Sequence, residues 1–257
     1  MGAVYIGTSG WDYPEWVGRF YPKRGASDRL RFYTGFFPVV EVNSTFYRLP
    51  PVSVAESWVR RTPREFRLAL KFPQTITHDK LLVGAETEIA QFARFLKPIQ
   101  EAGKLAAALV QLPPSLRFEP ATVRRFYESL PPDVPIAVEP RDRSWLRPES
   151  KELLKEFRLA WVVVDEPLLP IDLAVTAPFS YVRWHGHGKQ IWYDYTYPPE
   201  ELRAWVPRLA QLREQSEVVY GFFNNHFRGD AAANARTISE LLDLPPPPWA
   251  AKGKLSP

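Results

Sequence analysis

The stretch VVYGFFNNHFRGDAAA, residues 218–233, contains the unit whose repetition decides the fold of the chain. It begins with β-branched and aromatic residues, which are typical of a buried strand. A polar segment at 224–228 follows, and Gly229 and Asp230 then supply a turn and an N-cap for an alanine-rich helix. The order of apolar strand, polar tip and helix start recurs along the chain. Because this unit is the last one, it would close a ring of such units.

Eight strands are predicted, mostly from near-continuous apolar runs, as expected of parallel strands covered on both faces. They span residues 4–8, 39–44, 66–72, 105–112, 135–140, 159–165, 179–184 and 218–224. Helical spacing of apolar residues lies between them, and it is clearest from Leu202 to Leu212. The proline-rich connection at 167–178 is predicted to carry only a short helix. The size and order of these units predict an α/β fold, a single (β/α)8 TIM barrel.

A doubly wound sheet is the alternative fold. It usually has fewer strands, and no Gly-x-Gly-x-x-Gly fingerprint follows the first strand. No break between domains is visible in the sequence. We therefore predict one barrel domain over residues 1–244 and a proline-rich C-terminal tail over 245–257, either docked through Trp249 or disordered.

Composition limits the functional classes. The formal net charge of +4 permits an anionic ligand without requiring nucleic acid. The chain has no cysteine, which excludes disulfides, thiolate metal sites and cysteine nucleophiles. No apolar run approaches the ~18 residues of a membrane span, and because the sequence enters a strand at once we expect no signal peptide. We expect a cytoplasmic protein with no membrane partner. With 27 prolines and one methionine the chain resembles a thermostable protein, although a GC-rich genome gives a similar bias.

Polar side chains gather at the carboxyl ends of the predicted strands, where a TIM barrel carries its active site. Alternation along each strand would turn them into the barrel lumen. The predicted set comprises Glu41, Asn43, Lys71, Gln111, Glu139, Arg141, Asp165, Arg183, His185, Asn224 and His226. Structural ion pairs, such as Glu41–Lys71 or Glu139–Arg183, are the other explanation. Desolvating so many polar groups without a ligand is costly, so we favour a binding site.

Seven short segments resemble signature segments of the YecE-like family, the domain-of-unknown-function family 72. They are IGTSGW at 6–11, FPVVEVNSTFY at 37–47, KFP at 71–73, QLPPS at 111–115, EPR at 139–141, YVRWHG at 181–186 and YGFFNN at 220–225. The resemblance covers nearly the whole chain. It implies a single (β/α)8 barrel and no established activity. The family's fold is broadly similar to that of the endonuclease IV and xylose isomerase groups, which is an analogy and says nothing of function.

Two constellations carry the functional hypothesis. The glycine-containing loops at 185–189 and 224–229 predict an anion site, although a carboxylate at Asp230 counts against it. Glu41 and Glu139 lie on opposite sides of the barrel, with roughly 5–9 Å expected between their carboxyls. That range includes the separations of both retaining and inverting glycosidases. The equal alternative is that each glutamate neutralises Lys71, Arg141 or Arg183.

Metal-ligating and aromatic side chains are two further groups of candidate site residues. Six residues have the right chemistry for zinc or manganese: Glu41, Glu139, Asp165, His185, His187 and His226. The spacing is not diagnostic and the interleaved cations would repel a metal, so we predict none, and the sequence requires no cofactor. Aromatic rings suited to stacking on sugars or bases follow several strands: Trp11, Phe46, Tyr47, Trp145, Trp184, Trp192 and Tyr195. The segment at 190–195 is predicted to be a lid or platform.

These observations predict an enzyme of hydrolase or lyase/isomerase type that performs acid–base chemistry on a small anionic ligand containing phosphate or sugar. Glu139 is the preferred acid or base and Glu41 the second choice. The predicted catalytic residues are Glu139, Glu41, Lys71 and Asp165. The predicted ligand-binding residues are Asn43, Gln111, Arg141, Arg183, His185, Asn224, Asn225, His226, Trp11 and Tyr47. The alternatives are a nucleic-acid-binding barrel, for example one of the endonuclease IV kind, and a non-catalytic ligand-binding protein.

Overall fold

A computed structural model describes residues 2–250; Met1 and residues 251–257, the end of the predicted tail, lie outside the described residues. Eight parallel strands form a closed barrel in chain order, and the first strand pairs with both the second and the last. The strands are β1 (Ala3–Ser9), β2 (Val39–Val42), β3 (Arg67–Lys71), β4 (Leu105–Gln111), β5 (Ile136–Glu139), β6 (Ala160–Asp165), β7 (Phe179–Trp184) and β8 (Val218–Phe223). The predicted TIM barrel is confirmed.

The helices connect the strands on the outside of the barrel. They are α1 (Arg29–Thr34), α2 (Ser44–Tyr47), α3 (Val52–Arg61), α4 (Glu86–Glu101), α5 (Pro120–Glu128), α6 (Pro148–Glu156), α7 (Pro199–Gln215) and α8 (Asp230–Leu241). Short 3-10 turns lie at Pro14–Trp16, Arg143–Leu146 and Phe227–Gly229, and a π-helical turn lies at Thr75–Asp79. Residues 166–178, between β6 and β7, are all described and contain no helix. The short helix predicted there is therefore absent.

The strand side chains form two buried layers, because a parallel barrel strand is covered on both faces. Leu109, Val162 and Tyr181 belong to the inner layer that fills the lumen. Val110 and Val163 belong to the outer layer, between the strands and the helices. The inner layer uses alanine on β3 and β5, which leaves volume for the rings of β7 and β8. This packing fills the lumen with apolar side chains, and the polar side chains lie above it, at the carboxyl ends of the strands.

Trp249 fixes the last described residues to the barrel. Its Nε1 donates to the carbonyl of Thr34 at 2.8 Å, and its ring lies edge-on to Phe66. The boundary predicted at 244/245 stays a prediction. Within residues 2–250, every helix is too short or too polar to cross a membrane.

Candidate active site at the carboxyl ends of the strands

A buried arginine joins two glutamates from opposite walls of the barrel. Arg183 on β7 donates through Nη1 to Glu139 Oε2 at 2.6 Å and through Nη2 to Glu41 Oε1 at 2.7 Å. The hydroxyl of Tyr181 donates to the second oxygen of Glu41 at 2.7 Å. The two glutamate side chains are fully buried and that of Arg183 is 2% exposed. The structural pair Glu139–Arg183 is therefore present, whereas Glu41 pairs with Arg183 and not with Lys71.

The network continues from Glu139 to the residues that follow β5 and β7. Arg141 Nε donates to Glu139 Oε1 at 2.6 Å, and Arg141 Nη2 lies 2.9 Å from His185 Nε2. The same histidine nitrogen is 3.2 Å from Glu139 Oε1. On its other side, His185 Nδ1 lies 2.9 Å from the side-chain amide of Asn224. These contacts link β5, β7 and β8 in one layer above the apolar lumen.

This environment fixes the protonation states of the central groups. Burial opposes ionisation of Glu139, but Arg141, Arg183 and His185 outweigh it and hold the pKa of this carboxyl well below its usual range. Burial, reinforced by Arg141, lowers the pKa of His185 to about 3, so its imidazole is neutral. A carboxyl that stays ionised at neutral pH has no proton to donate. The expectation that Glu139 acts as an acid therefore conflicts with its surroundings, which favour an anchor for two arginines.

Lys71, at the carboxyl end of β3, differs from the two arginines in its partners and in its pKa. Its Nζ donates to Gln111 Oε1 at 2.6 Å and lies 3.7 Å from the centroid of the Phe46 ring. Among residues 2–250, no carboxylate forms an ion pair with it. Burial, and next the charge of Arg183, lower its pKa to about 7, although both buried glutamates oppose the shift. The amine therefore exchanges its proton near neutral pH.

Strand β6 corrects one predicted residue. Asp165 does not face the lumen: its carboxylate accepts from Trp205 Nε1 on α7 at 2.7 Å and lies 2.6 Å from His187 Nε2. Alternation places Val162 and Val164 in the inner layer, so the next inward position is Glu166. Asp165 thus ties β6 to α7 and to the loop after β7, outside the network of Arg183.

Glu166 is the inward carboxylate that sequence analysis missed. Its side chain is buried, and its Oε2 lies 3.7 Å from Arg141 Nη1. Within the described chain, neither carboxylate oxygen has a well-formed hydrogen bond. Burial raises the pKa of Glu166, and the charge of Arg141 opposes the shift without cancelling it. The alternation Val162, Val164, Glu166 is the signal that identifies it, and the predicted strand ends one residue too early, at Asp165.

The loop after β7 folds onto itself rather than presenting free amides. The amide of Gly186 donates to the hydroxyl of Tyr197 at 2.9 Å, and that of Gly188 to the carbonyl of Trp192 at 3.2 Å. Gly186 has a φ of +89°, and a Cβ there would lie 2.4 Å from the Trp192 carbonyl. The glycines therefore serve to fold this loop onto itself. The anion site predicted between 185–189 and 224–229 lacks the two glycine amides that it would need.

Asn225 and His226 also have structural partners. Asn225 is fully buried and donates to the carbonyl of Tyr195 and to Asn234 Oδ1, both at 2.8 Å. The ring of His226 stacks on that of Tyr13 with centroids 4.6 Å apart. Asn225 thus attaches the loop after β7 to α8, and it does not face an open site as predicted.

The remaining predicted residues fall at the edge of the network. Asn43 is half-buried, and its Oδ1 has no partner within residues 2–250. Trp11 packs edge-on against Trp58 of α3, and Tyr47 is 73% exposed. Within the described chain, no three histidine, aspartate or glutamate side chains are grouped as a metal site requires. The predicted residues that converge are Glu41, Lys71, Gln111, Glu139, Arg141, Arg183, His185 and Asn224.

Comparisons with known proteins find relatives along almost the whole chain. A family model described as "Protein of unknown function DUF72" matches residues 5–253. The UPF0759 protein YunF of Bacillus subtilis is 33% identical, and the alignment covers 94% of this chain and 95% of YunF. The UPF0759 protein YecE of Escherichia coli K12 is 27% identical over 93% of this chain and 92% of its own length.

Solved structures agree with the fold. A DUF72 family protein from Thermotoga maritima superposes with a TM-score of 0.84 and 32% identity, covering 94% of this chain and 99% of that protein. A DUF72 family protein from Enterococcus faecalis has a TM-score of 0.81 and 26% identity, covering 95% and 99%. The names of these proteins state no activity and no ligand.

Proposed function

The chain belongs to the DUF72 family of proteins of unknown function, and from its site we propose that it is an enzyme acting on a small anionic ligand at the carboxyl ends of the barrel strands. The ligand contains phosphate or sugar, and the reaction is acid–base chemistry of hydrolase or lyase/isomerase type. Lys71 is the group that binds the anion and exchanges the proton. This assigns to Lys71 the role that the sequence favoured for Glu139.

The surroundings of Lys71 carry the proposal. Arg183 is neutralised by Glu41 and Glu139, and Arg141 by Glu139, so these arginines already have counter-ions. Lys71 has none among the described residues, and its amine is only hydrogen-bonded to a neutral amide. An anionic ligand would supply the missing negative charge. A pKa of about 7 is also the value that makes a proton donor and acceptor effective at neutral pH.

The buried carboxylates have a supporting role in this proposal. Burial opposes the charge on Arg183, but Glu139 and Glu41 outweigh it and raise the pKa of the guanidinium further. Glu41 and Glu139 thereby hold the guanidinium of Arg183 in a fixed position, and its charge is the second cause that lowers the pKa of Lys71. Gln111 orients the amine of Lys71, and His185 and Asn224 complete the layer.

The binding part is tested with sulfate, whose charge is constant between pH 6 and 9, by titration calorimetry. We expect the native chain to bind sulfate more tightly at pH 6 than at pH 8.5, because Lys71 loses its charge through its pKa of about 7. Lys71→Met should lower the affinity at pH 6 by about tenfold or more, equivalent to about 1.4 kcal/mol. Lys97→Met, at an exposed lysine of α4, is the matched control and should leave the affinity unchanged.

Equal affinities in Lys71→Met and the native chain would remove the basis of the proposal. Salt-dependent binding of a single-stranded oligonucleotide, with no sulfate response at Lys71, would favour a nucleic-acid-binding barrel instead. The chemical part is tested by NMR of ribose 5-phosphate and fructose 6-phosphate in D2O. We expect deuterium exchange next to the carbonyl or release of phosphate with the native chain and not with Lys71→Met. Sulfate binding without either signal would leave a non-catalytic binding protein.

A further inference from the structure

We propose that Lys71 is a nucleophile whose amine forms an imine with the carbonyl carbon of an aldehyde or ketone that also carries an anionic group. The inference rests on the proposed function and narrows its ligand to carbonyl compounds.

Lys104 shows how this fold treats a structural lysine. Its Nζ donates to the carbonyl of Val59 at 2.8 Å, to the carbonyl of Thr62 at 2.7 Å and to Thr62 Oγ1 at 3.0 Å. Three N–H groups thus meet three acceptors, two of them carbonyls at the carboxyl end of α3. An ammonium with this geometry is bound as a cation and has no free position for chemistry.

Lys71 has the opposite arrangement. Its hydrogen-bond acceptor within the described chain is Gln111 Oε1, and its other neighbour is the face of Phe46. The amide nitrogen of Gln111 donates to the carbonyl of Leu112 at 2.7 Å, which turns the amide oxygen towards the lysine. One neutral acceptor orients an amine through one N–H bond and leaves its lone pair free. Lys71 is half-buried, so part of the residue remains open to solvent.

The arginines keep the carboxylates away from this amine. A lysine beside two buried glutamates would ordinarily take one of them as a counter-ion. Here both glutamates are bound by the guanidinium of Arg183, whose charge also acts on Lys71. Desolvation and a neighbouring cation are the two conditions that make a lysine nucleophilic in Schiff-base enzymes. Together they leave about half of the amine unprotonated near pH 7.

The reaction conserves atoms and charge without a further reagent. The lone pair of the neutral amine forms a C–N bond with the carbonyl carbon while the C=O π bond breaks, which gives a carbinolamine. The two hydrogens of the amine then leave with the former carbonyl oxygen as water, and the product is an imine. Uptake of one proton from solvent gives the iminium, which withdraws electrons from the neighbouring C–H or C–C bond. Such an intermediate serves the lyase or isomerase chemistry of the proposed function.

Reductive trapping tests the inference. The native chain is incubated at pH 7 with glyceraldehyde 3-phosphate and, separately, with pyruvate, in the presence of cyanoborohydride, and the adducts are located by peptide mass spectrometry. We expect a saturable adduct on Lys71 with at least one probe, formed at least tenfold faster than on the exposed Lys97. Lys71→Arg should abolish it while retaining the native circular dichroism, and Lys97→Arg should not affect it.

Labelling spread over the lysines according to their exposure, or labelling of Lys97 but not of Lys71 with both probes, would overturn the inference. The sulfate titration separates this failure from failure of the proposed function. If sulfate binding depends on Lys71 and no adduct forms, the lysine binds an anion but is not a nucleophile. If neither result is obtained, both proposals fail.

Discussion

Replacing Arg183 by methionine is expected to destabilise the barrel strongly. The substitution retains an unbranched side chain of similar length but removes the charge that binds Glu41 Oε1 and Glu139 Oε2. Glu139 keeps its contacts with Arg141, whereas Glu41 keeps only the hydroxyl of Tyr181. Most of the loss therefore comes from leaving a buried carboxylate without a cation.

The magnitude follows from burial. All three side chains are essentially inaccessible, and breaking a buried ion pair from one side typically costs about 3–5 kcal/mol. In a domain of this size each kcal/mol shifts the melting temperature by about 2–4 °C, so a fall of about 6–20 °C is expected. The low pKa of Glu139 stabilises the native chain above the usual glutamate value of 4.5, and that contribution is lost as the pH falls through the lowered native value. The deficit of the variant should therefore shrink below about pH 4.5.

The assay is thermal unfolding of the native chain and the variant at pH 7.5 and at a series of pH values below 4.5. The matched control is Arg124→Met, which removes an equally well-formed bidentate pair with Glu156, at 2.5 and 2.7 Å, on the exposed surface between α5 and α6. The control should melt close to the native chain because exposed pairs contribute little. Equal melting temperatures for the two variants, or a deficit that does not change with pH, would refute the reasoning.

Two further predictions concern the carboxylates at the carboxyl end of β6, Asp165 and Glu166. Glu166→Gln should melt higher than the native chain at pH 7.5, because burial raises the pKa of Glu166 and its ionised form opposes folding. This gain in melting temperature should disappear as the pH falls towards 4.5, which thermal unfolding from pH 4 to 8 would measure. A gain that persists at the low end of this range would argue against the raised pKa. Asp165→Asn should speed amide hydrogen exchange in residues 185–197, since it weakens the contacts with His187 and Trp205. The same variant should bind sulfate as tightly as the native chain. A folded variant that no longer binds sulfate would contradict the outward placement of Asp165.

The barrel was predictable because its strands are apolar on both faces and recur with helical segments between them. The ends of the strands were harder to predict. In β6 the choice between Asp165 and Glu166 decides which carboxylate enters the lumen, since a shift of one residue reverses the face of a side chain. Two adjacent acidic residues carry no hydrophobic pattern that distinguishes them. Only the alternation of side chains along the strand, followed from Val162 in the inner layer, shows that Glu166 faces the lumen.

The residues that form the site were predictable, but their ion pairs and protonation states were not. Glu41, Lys71, Glu139 and Arg183 all stand at strand ends and were identified on that ground. Which carboxylate meets which cation depends on distances across the lumen between residues far apart in the chain. The weakened basicity of Lys71 arises from burial and from the charge of Arg183, and both exist only after the barrel has closed.

The bridge made by Arg183 has a consequence for how the chain acquires its structure. Its guanidinium binds one carboxylate 44 residues earlier and another 142 residues earlier in the chain. A fragment that ends before β7 would enclose Glu41 without this partner, so a partial barrel pays an electrostatic penalty as well as an exposed edge. We therefore expect the first six strands to gain little stability from forming a barrel before β7 is added. Closure of the barrel and neutralisation of Glu41 by Arg183 would then occur together. Contacts of such long range form slowly, so we expect the bridge made by Arg183 to form late in folding.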